Sequence, residues 1–394
     1  MKKYCIYLII GLMPIITIGQ VVETQTNEGN LHMTDSVKSL IPEVRQKLLR
    51  DMDVIFNTRM GYDSHFTDSD HTISKFYANQ FRLELKGKIH DKVSFRFRNR
   101  YTKDDDPASL DHVNNSVDLA LVKIDFTPKT SFSFGKLCAA WGGYEFDFNP
   151  IDIMAYNDII QNADNFLMGA GISHTLEGGN HSFTFQVLNS RTKTYSEIYG
   201  LKAPPSINET EYPLAAVINW RGSFFDGKYQ TTWSYNFFNE AKGAHMNYFT
   251  LGNKFKGKNF AVYYDFQYSD EGLDRKGIIT RTVNNAGAYS YAAEGVLYIE
   301  NWLRAEFLVA PKVTVIMSAF TSNHYWKENP DPTVNDKVST SYGLVPTIEY
   351  MPFQDMNLRF FAGYVFRRID YTSYGTDVNT GQLSVGIVAP LLVL

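Results

Sequence analysis

From about residue 51 onward, apolar and polar residues alternate with a period of two, as in strands that are apolar on one face only. Phe81, Leu83 and Leu85 interleave with Gln80, Arg82, Glu84 and Lys86. After a turn at His90-Asp91-Lys92, Val93, Phe95 and Phe97 interleave with Ser94, Arg96, Arg98 and Arg100. A three-residue turn pairs Ile89 with Val93 and keeps both apolar sets on one face, so the register is self-consistent. Further hairpins of the same kind occupy residues 120–134, 172–187, 218–235, 249–266, 303–317 and 344–364, and a last strand carries Leu383, Val385, Ile387 and Ala389. With one strand (Val54, Phe56, Thr58, Met60) ahead of the first hairpin, the count reaches about sixteen, even as in single-chain bacterial barrels. Short turns alternate with long connections near 63–74, 102–115, 142–165, 190–211, 270–294 and 323–337.

No window after the N-terminus holds the roughly 20 apolar residues of a spanning helix. Any membrane insertion is therefore by strands, and in lipid only a closed sheet satisfies every backbone donor and acceptor. The predicted fold is all-β: a transmembrane antiparallel β-barrel over residues 51–394. Tyr62, Phe126, Trp220, Tyr350 and Phe366 fall near strand ends, where aromatic girdles form.

Composition agrees. The 394 residues are 15% aromatic, with 25 Tyr and 28 Phe, yet the mean hydropathy is only −0.26. Alternation between lipid-facing and water-facing positions reconciles the two. Lys2 and Lys3, the apolar stretch Tyr4 to Ile18 and the small residues Thr17 and Gly19 read as a signal peptide over 1–19. Residues 20–50, with a weakly amphipathic helix over 34–49, read as a short periplasmic extension, with a poorly ordered leader as the equal alternative. Loss of Lys2 and Lys3 takes the formal charge from −4 to −6, which argues against nucleic acid as a partner. Cys138 is then the sole cysteine and reads as a packing residue.

If the apolar set faces lipid, the alternate set faces the lumen. Its basic members are Arg59, Arg82, Lys86, Arg96, Arg98, Arg100, Lys123, Arg221, Arg304, Arg359 and Arg367. Its acids are Asp53, Glu84, Asp125, Asp265, Glu300, Glu306 and Glu349, an inward excess of four positive charges. Because the last strand closes on the first, Arg359, Arg367, Arg59, Arg82, Arg96, Arg98 and Arg100 line one contiguous wall. Low-dielectric walls focus such a field into a water-filled pore and favour anions. The plainer alternative is that these charges solvate a polar interior, with Glu84 pairing across to Arg96 or Arg98. The connection from Gly142 to Asn165 has Glu145, Asp147, Asp152, Asp158 and Asp164 but no Lys or Arg. It also holds Tyr144, Phe146, Phe148, Ile151, Ile153 and Tyr156, too apolar for a solvated loop. It is expected to fold inward as a constriction, its acids setting a field against the basic wall.

Within residues 131–160, the pieces Gly135-Lys136, Gly142-Gly143-Tyr144-Glu145 and Asn149-Pro150-Ile151-Asp152 resemble the corresponding region of the phosphate-selective porin O and P family, especially its Bacteroidetes members. That resemblance implies a sixteen-stranded, trimeric outer-membrane diffusion channel with an infolded third extracellular loop, here carrying Tyr144, Glu145, Asp147, Asn149 and Asp152. Its expected partners are outer-membrane lipid and lipopolysaccharide, small anionic solutes and two further copies of the chain. Lys136 falls on the outward parity of its strand unless Gly135 makes a bulge.

Other chemistries find less support. The nine His show no metal-ligand spacing, and no nucleophile, base and acid are gathered by a motif; neither a metal, a cofactor nor catalysis is expected. Asp63, His65, Asp68, Asp70 and His71 read as an acidic solvated loop, with divalent cations near lipopolysaccharide as the alternative. A non-conducting receptor barrel is the competing function.

Overall fold

The computed structural model describes residues 52–103 and 110–393. The expected signal peptide, the 20–50 extension and Asp104-Asp105-Asp106 lie outside the described residues. Along the chain come β1 (Met52–Thr67), β2 (Asp70–His90), β3 (Val93–Arg100), β4 (Val117–Thr127), β5 (Thr130–Cys138) and β6 (Phe166–Thr175). They are followed by β7 (His181–Asn189), β8 (Leu214–Phe224), β9 (Tyr229–Ala241), β10 (Ala244–Lys256) and β11 (Phe260–Leu273). The set ends with β12 (Glu294–Ala310), β13 (Val313–Trp326), β14 (Lys337–Tyr350), β15 (Arg359–Tyr371) and β16 (Val378–Leu392). Each strand pairs antiparallel with its sequence neighbours, and β1 pairs with β16 from Ile55↔Leu392 to Thr67↔Thr380, so the sixteen-stranded sheet closes.

The alternation becomes an inside-out distribution. Trp233, Tyr235, Phe249, Leu251, Tyr264 and Leu303 are exposed on the outer surface. Thr232, Ser234, Thr250, Asp265 and Arg304, at the intervening positions, are buried. In water this would strand apolar surface; in acyl chains it is the favourable order. Of the expected girdle residues, Tyr62, Phe126, Tyr350 and Phe366 are exposed, and Trp220 packs edge-on to Trp233 at 5.2 Å.

The fold departs from the sequence expectation at two places. Residues 63–74 are not a long loop: β1 and β2 run on to a two-residue turn at Asp68 and Ser69, both with positive φ. Polar side chains occupy both faces there, so the period-two signal fades while the backbone ladder continues. Asp63 consequently lies buried inside the wall, accepting from Gln382 Nε2 at 2.9 Å. At the first short turn His90, not Ile89, pairs with Val93 across a register shift; the facing of Leu85 and Phe97 is unchanged. Between β9 and β10, where no long connection was expected, only Lys242 and Gly243 intervene. Long connections remain at 101–116, 139–165, 190–213, 274–293 and 327–336, all at one end of the barrel.

Leu251, mid-way along β10 and exposed outward, tests the inside-out order. Leu251→Arg is expected to lower folding stability in lipid vesicles by roughly 2–4 kcal/mol, read from reversible urea unfolding. An unchanged free energy would mean this face does not meet acyl chains.

Candidate functional site: a basic wall and the connection that faces it

Barrel closure makes β15, β16, β1, β2, β3 and β4 consecutive neighbours. The β2–β3 register sets Arg82 opposite Arg100, Glu84 opposite Arg98 and Lys86 opposite Arg96. Arg82, Arg98 and Arg100 converge on one carboxylate, Asp118 of β4, at 3.5, 3.4 and 2.7 Å. Three guanidiniums around one acid leave a net positive cluster, shielded from bulk water because Asp118 and Arg82 are almost wholly buried. The sequence reading missed Asp118, since its neighbours Val117 and Leu119 blur the strand's alternation. Elsewhere the wall is neutralised pair by pair: Arg96 meets Glu84 at 2.8 Å and Lys86 meets Asp53 at 3.7 Å.

Lys136 joins the wall by a local reversal. Gly135 adopts φ +129°, which turns the following side chain inward, and Lys136 is buried with its Nζ 3.2 Å from Asp111. A Cβ on Gly135 would sit 2.2 Å from the Ala120 carbonyl oxygen, so this backbone requires glycine. In the 101–116 connection, desolvation and the neighbouring Arg100 pull the Lys103 ammonium below the usual lysine value.

The 139–165 connection carries two short helices, α1 (Tyr144–Asp147) and α2 (Asp158–Gln161), and bonds to inward-facing side chains of several strands. Gly143, with φ +83°, brings the backbone to within contact of Thr250 and Asp265. The N–H groups of Tyr144 and Glu145 then donate to the Asp265 carboxylate at 2.9 and 2.7 Å. Asp147 takes a two-pronged bond from Arg221 at 2.6 and 2.8 Å. Asn149 donates to Asn57 at 2.9 Å. Asp152 accepts from Arg359 at 2.5 Å, and its carbonyl accepts from Arg304 at 3.1 Å. Asp158 pairs with Arg367, and Arg59 donates to the Ile153 carbonyl at 2.8 Å.

This alters the expected electrostatics. The acids of the connection do not stand across a gap from the wall; Asp147, Asp152, Asp158 and Asp164 are held by Arg221, Arg359, Arg367 and Arg275. Arg359 and Arg367 thus serve the connection rather than the open space. Glu145 differs: burial pushes its carboxyl up to about 8, against the Asn157 N–H at 2.6 Å and the Gln267 amide at 3.1 Å, which favour the ionised form.

Between wall and connection lies a cavity of about 410 Å³. Arg59, Arg82, Arg98, Arg100, Lys103 and Lys136 line it, with Arg221, Asp147 and Asp164 on the other side. Lys86, Arg96, Arg359, Arg367, Tyr144, Glu145, Asn149 and Asp152 do not reach it. The opposite part of the interior is filled. Trp141 and Ile159 of the connection pack with Phe238, Tyr248, Val296 and Trp326, and with Ile279 and Val283 of a helix in the 274–293 connection, α4 (Ile278–Asn285). A further helix, α3 (Tyr195–Tyr199), packs against Ala241, Ala244 and Leu273. Neither helix is legible in the period-two pattern. The fold also gathers His324, Glu300 and Asp158, too far apart in sequence for any spacing motif to register.

A closed antiparallel barrel with apolar residues outside, ionised residues inside and a basic cavity within it defines an outer-membrane porin, a channel rather than an enzyme. The profile of the phosphate-selective porin O and P family matches residues 55–303, and the chain belongs to that family. No curated protein matches the sequence. Among solved structures, the outer membrane channel DcaP of Acinetobacter baumannii aligns with a TM-score of 0.59 at 10% identity, over 89% of this chain and 100% of that one. The anion-selective porin from Comamonas acidovorans aligns at 0.55 and 11% identity, over 86% and 98%. The trimer form of OmpT, an outer membrane protein of Vibrio cholerae, aligns at 0.51 and 10%, over 86% and 99%. At such identities the likeness concerns the fold. Family and fold together place the protein in the outer membrane of a Gram-negative bacterium.

The raised value of the buried Glu145 carboxyl makes docking of the connection pH-dependent. A carboxyl whose value is raised on docking holds the connection most firmly below the ordinary glutamate value and loosens it as pH climbs through about 8. Open-channel current noise is expected to grow between about pH 5 and about pH 9 in the parent protein and to stay flat in Glu145→Gln. Equal pH profiles for the two proteins would break the link.

Proposed function

We propose that this porin is an anion-preferring passive diffusion channel whose selectivity is set where the 139–165 connection narrows the lumen against the wall of Arg59, Arg82, Arg98, Arg100 and Lys136. One observation carries this reading: three guanidiniums share the single carboxylate of Asp118, whereas the four aspartates of the connection are each bonded to an arginine, two of which, Arg359 and Arg275, also meet Glu349 and Glu240. What remains to meet a solute is positive, and a low-dielectric surround strengthens its field. The phosphate selectivity in the family's description and the anion selectivity of the Comamonas porin are in keeping with small anions, phosphate among them, as the solutes. The trimer form of OmpT is in keeping with a homotrimer; outer-membrane lipid and lipopolysaccharide as its surroundings, and export with residues 1–19 as the signal, are part of the same proposal.

Planar bilayers test this. In asymmetric KCl the reversal potential is expected to take the sign of chloride permeation, in stepwise open channels. Replacing Arg82, Arg98 and Arg100 by Gln, with Asp118→Asn so that no buried acid is stranded, is expected to cut the chloride-to-potassium permeability ratio by roughly tenfold. A cation-selective parent protein overturns the reading, and a silent one favours the receptor alternative.

A further inference from the structure

Where α2 meets the barrel, the charges do not balance. Glu300 of β12 is fully buried; its Oε1 accepts from the Ile159 N–H at 2.8 Å and from the Ser322 hydroxyl at 2.5 Å. Its other oxygen, Oε2, has no hydrogen-bond partner. Asp158 lies close enough for its charge to act on Glu300. Asp158 is paired with Arg367, whereas no ion pair among the described residues includes Glu300. A buried carboxylate in such a setting calls for a compensating cation.

His324 of β13 completes the group. Its Nε2 is 3.1 Å from Asp158 Oδ2 and 2.9 Å from the Ser322 hydroxyl. Its Nδ1 is 2.8 Å from the Ser339 hydroxyl, the kind of contact that orients an imidazole ligand and leaves the other nitrogen to a metal. Arg367 occupies only Oδ1 of Asp158, so Oδ2 stays available. One donor atom from each of Asp158, Glu300 and His324 lies within 4.8 Å of the others.

We propose that Asp158, Glu300 and His324 bind one divalent cation of the zinc type, with Ser322 as a fourth donor, and that this ion staples the β5–β6 connection to β12 and β13. One imidazole and two carboxylates suit zinc and its first-row neighbours better than calcium or magnesium, which take oxygen donors. A bound ion would draw these donors to bonds of roughly 2.0–2.2 Å. Two positive charges offset the bare carboxylate, and the staple adds to the arginine contacts that already dock the connection. The site is independent of which ion the pore prefers.

The test uses the full chain refolded in detergent with zinc chloride, passed over a chelating resin and assayed for metal by mass spectrometry. The expected result is about one retained zinc per chain and a higher melting temperature than for protein refolded with EDTA. His324→Ala and the nearly isosteric Glu300→Gln are each expected to lose the metal, with barrel formation verified by heat-modifiable gel mobility. Parent protein that retains no zinc overturns the site. So does equal retention in a folded Glu300→Gln variant, which would move the binding to surface histidines such as His65 and His71.

Discussion

In hydrocarbon no water replaces a missing hydrogen bond, so every N–H and C=O of a spanning segment must find a partner within the sheet. Pairing of β1 with β16 meets that demand, and most other features derive from it. A sheet without edges has an inside and an outside. Strand geometry then sends alternate side chains to each, and the outer set must be apolar. The inner set is left free to be charged, which is how Arg82, Arg98 and Arg304 come to be buried inside the barrel, beside the carboxylates of Asp118 and Glu306 that offset part of the cost of desolvating a guanidinium.

Freedom of the inner set is used in two ways. On the side of β8 to β14 it builds a second, ordinary core, with Tyr248, Val296 and Trp326 packed against α4 and the β5–β6 connection. Toward β1 to β5 it holds arginines around Asp118. The connection between them is fixed by ion pairs that engage its four aspartates, so most of its negative composition ends up as adhesion rather than as a field. Composition alone therefore misleads about what a solute would feel; only the pairing shows which charges are already answered.

The strand count, the facing of nearly every strand and the arginine wall were legible because period-two alternation is a local signal. Asp118 was not, since apolar Val117 and Leu119 beside it hide the parity. Lys136 was legible only as a condition on Gly135, because that one glycine, with φ +129°, inverts the facing of the residue after it. Residues 63–74 read as a loop because polar side chains fill both faces of a ladder that the backbone alone sustains. Partners such as Asp147 with Arg221, or Asp158 with His324, are long-range products of closure, and no window of sequence contains both members.

The β5–β6 connection touches β1 through Asn57 and Arg59, β8 through Arg221, β11 through Asp265 and β15 through Arg359 and Arg367. It is thus a cross-brace fastened at several points of the circumference. A cylinder squeezed toward an oval must shear those fastenings, so roundness and the width left for a solute become a single mechanical quantity.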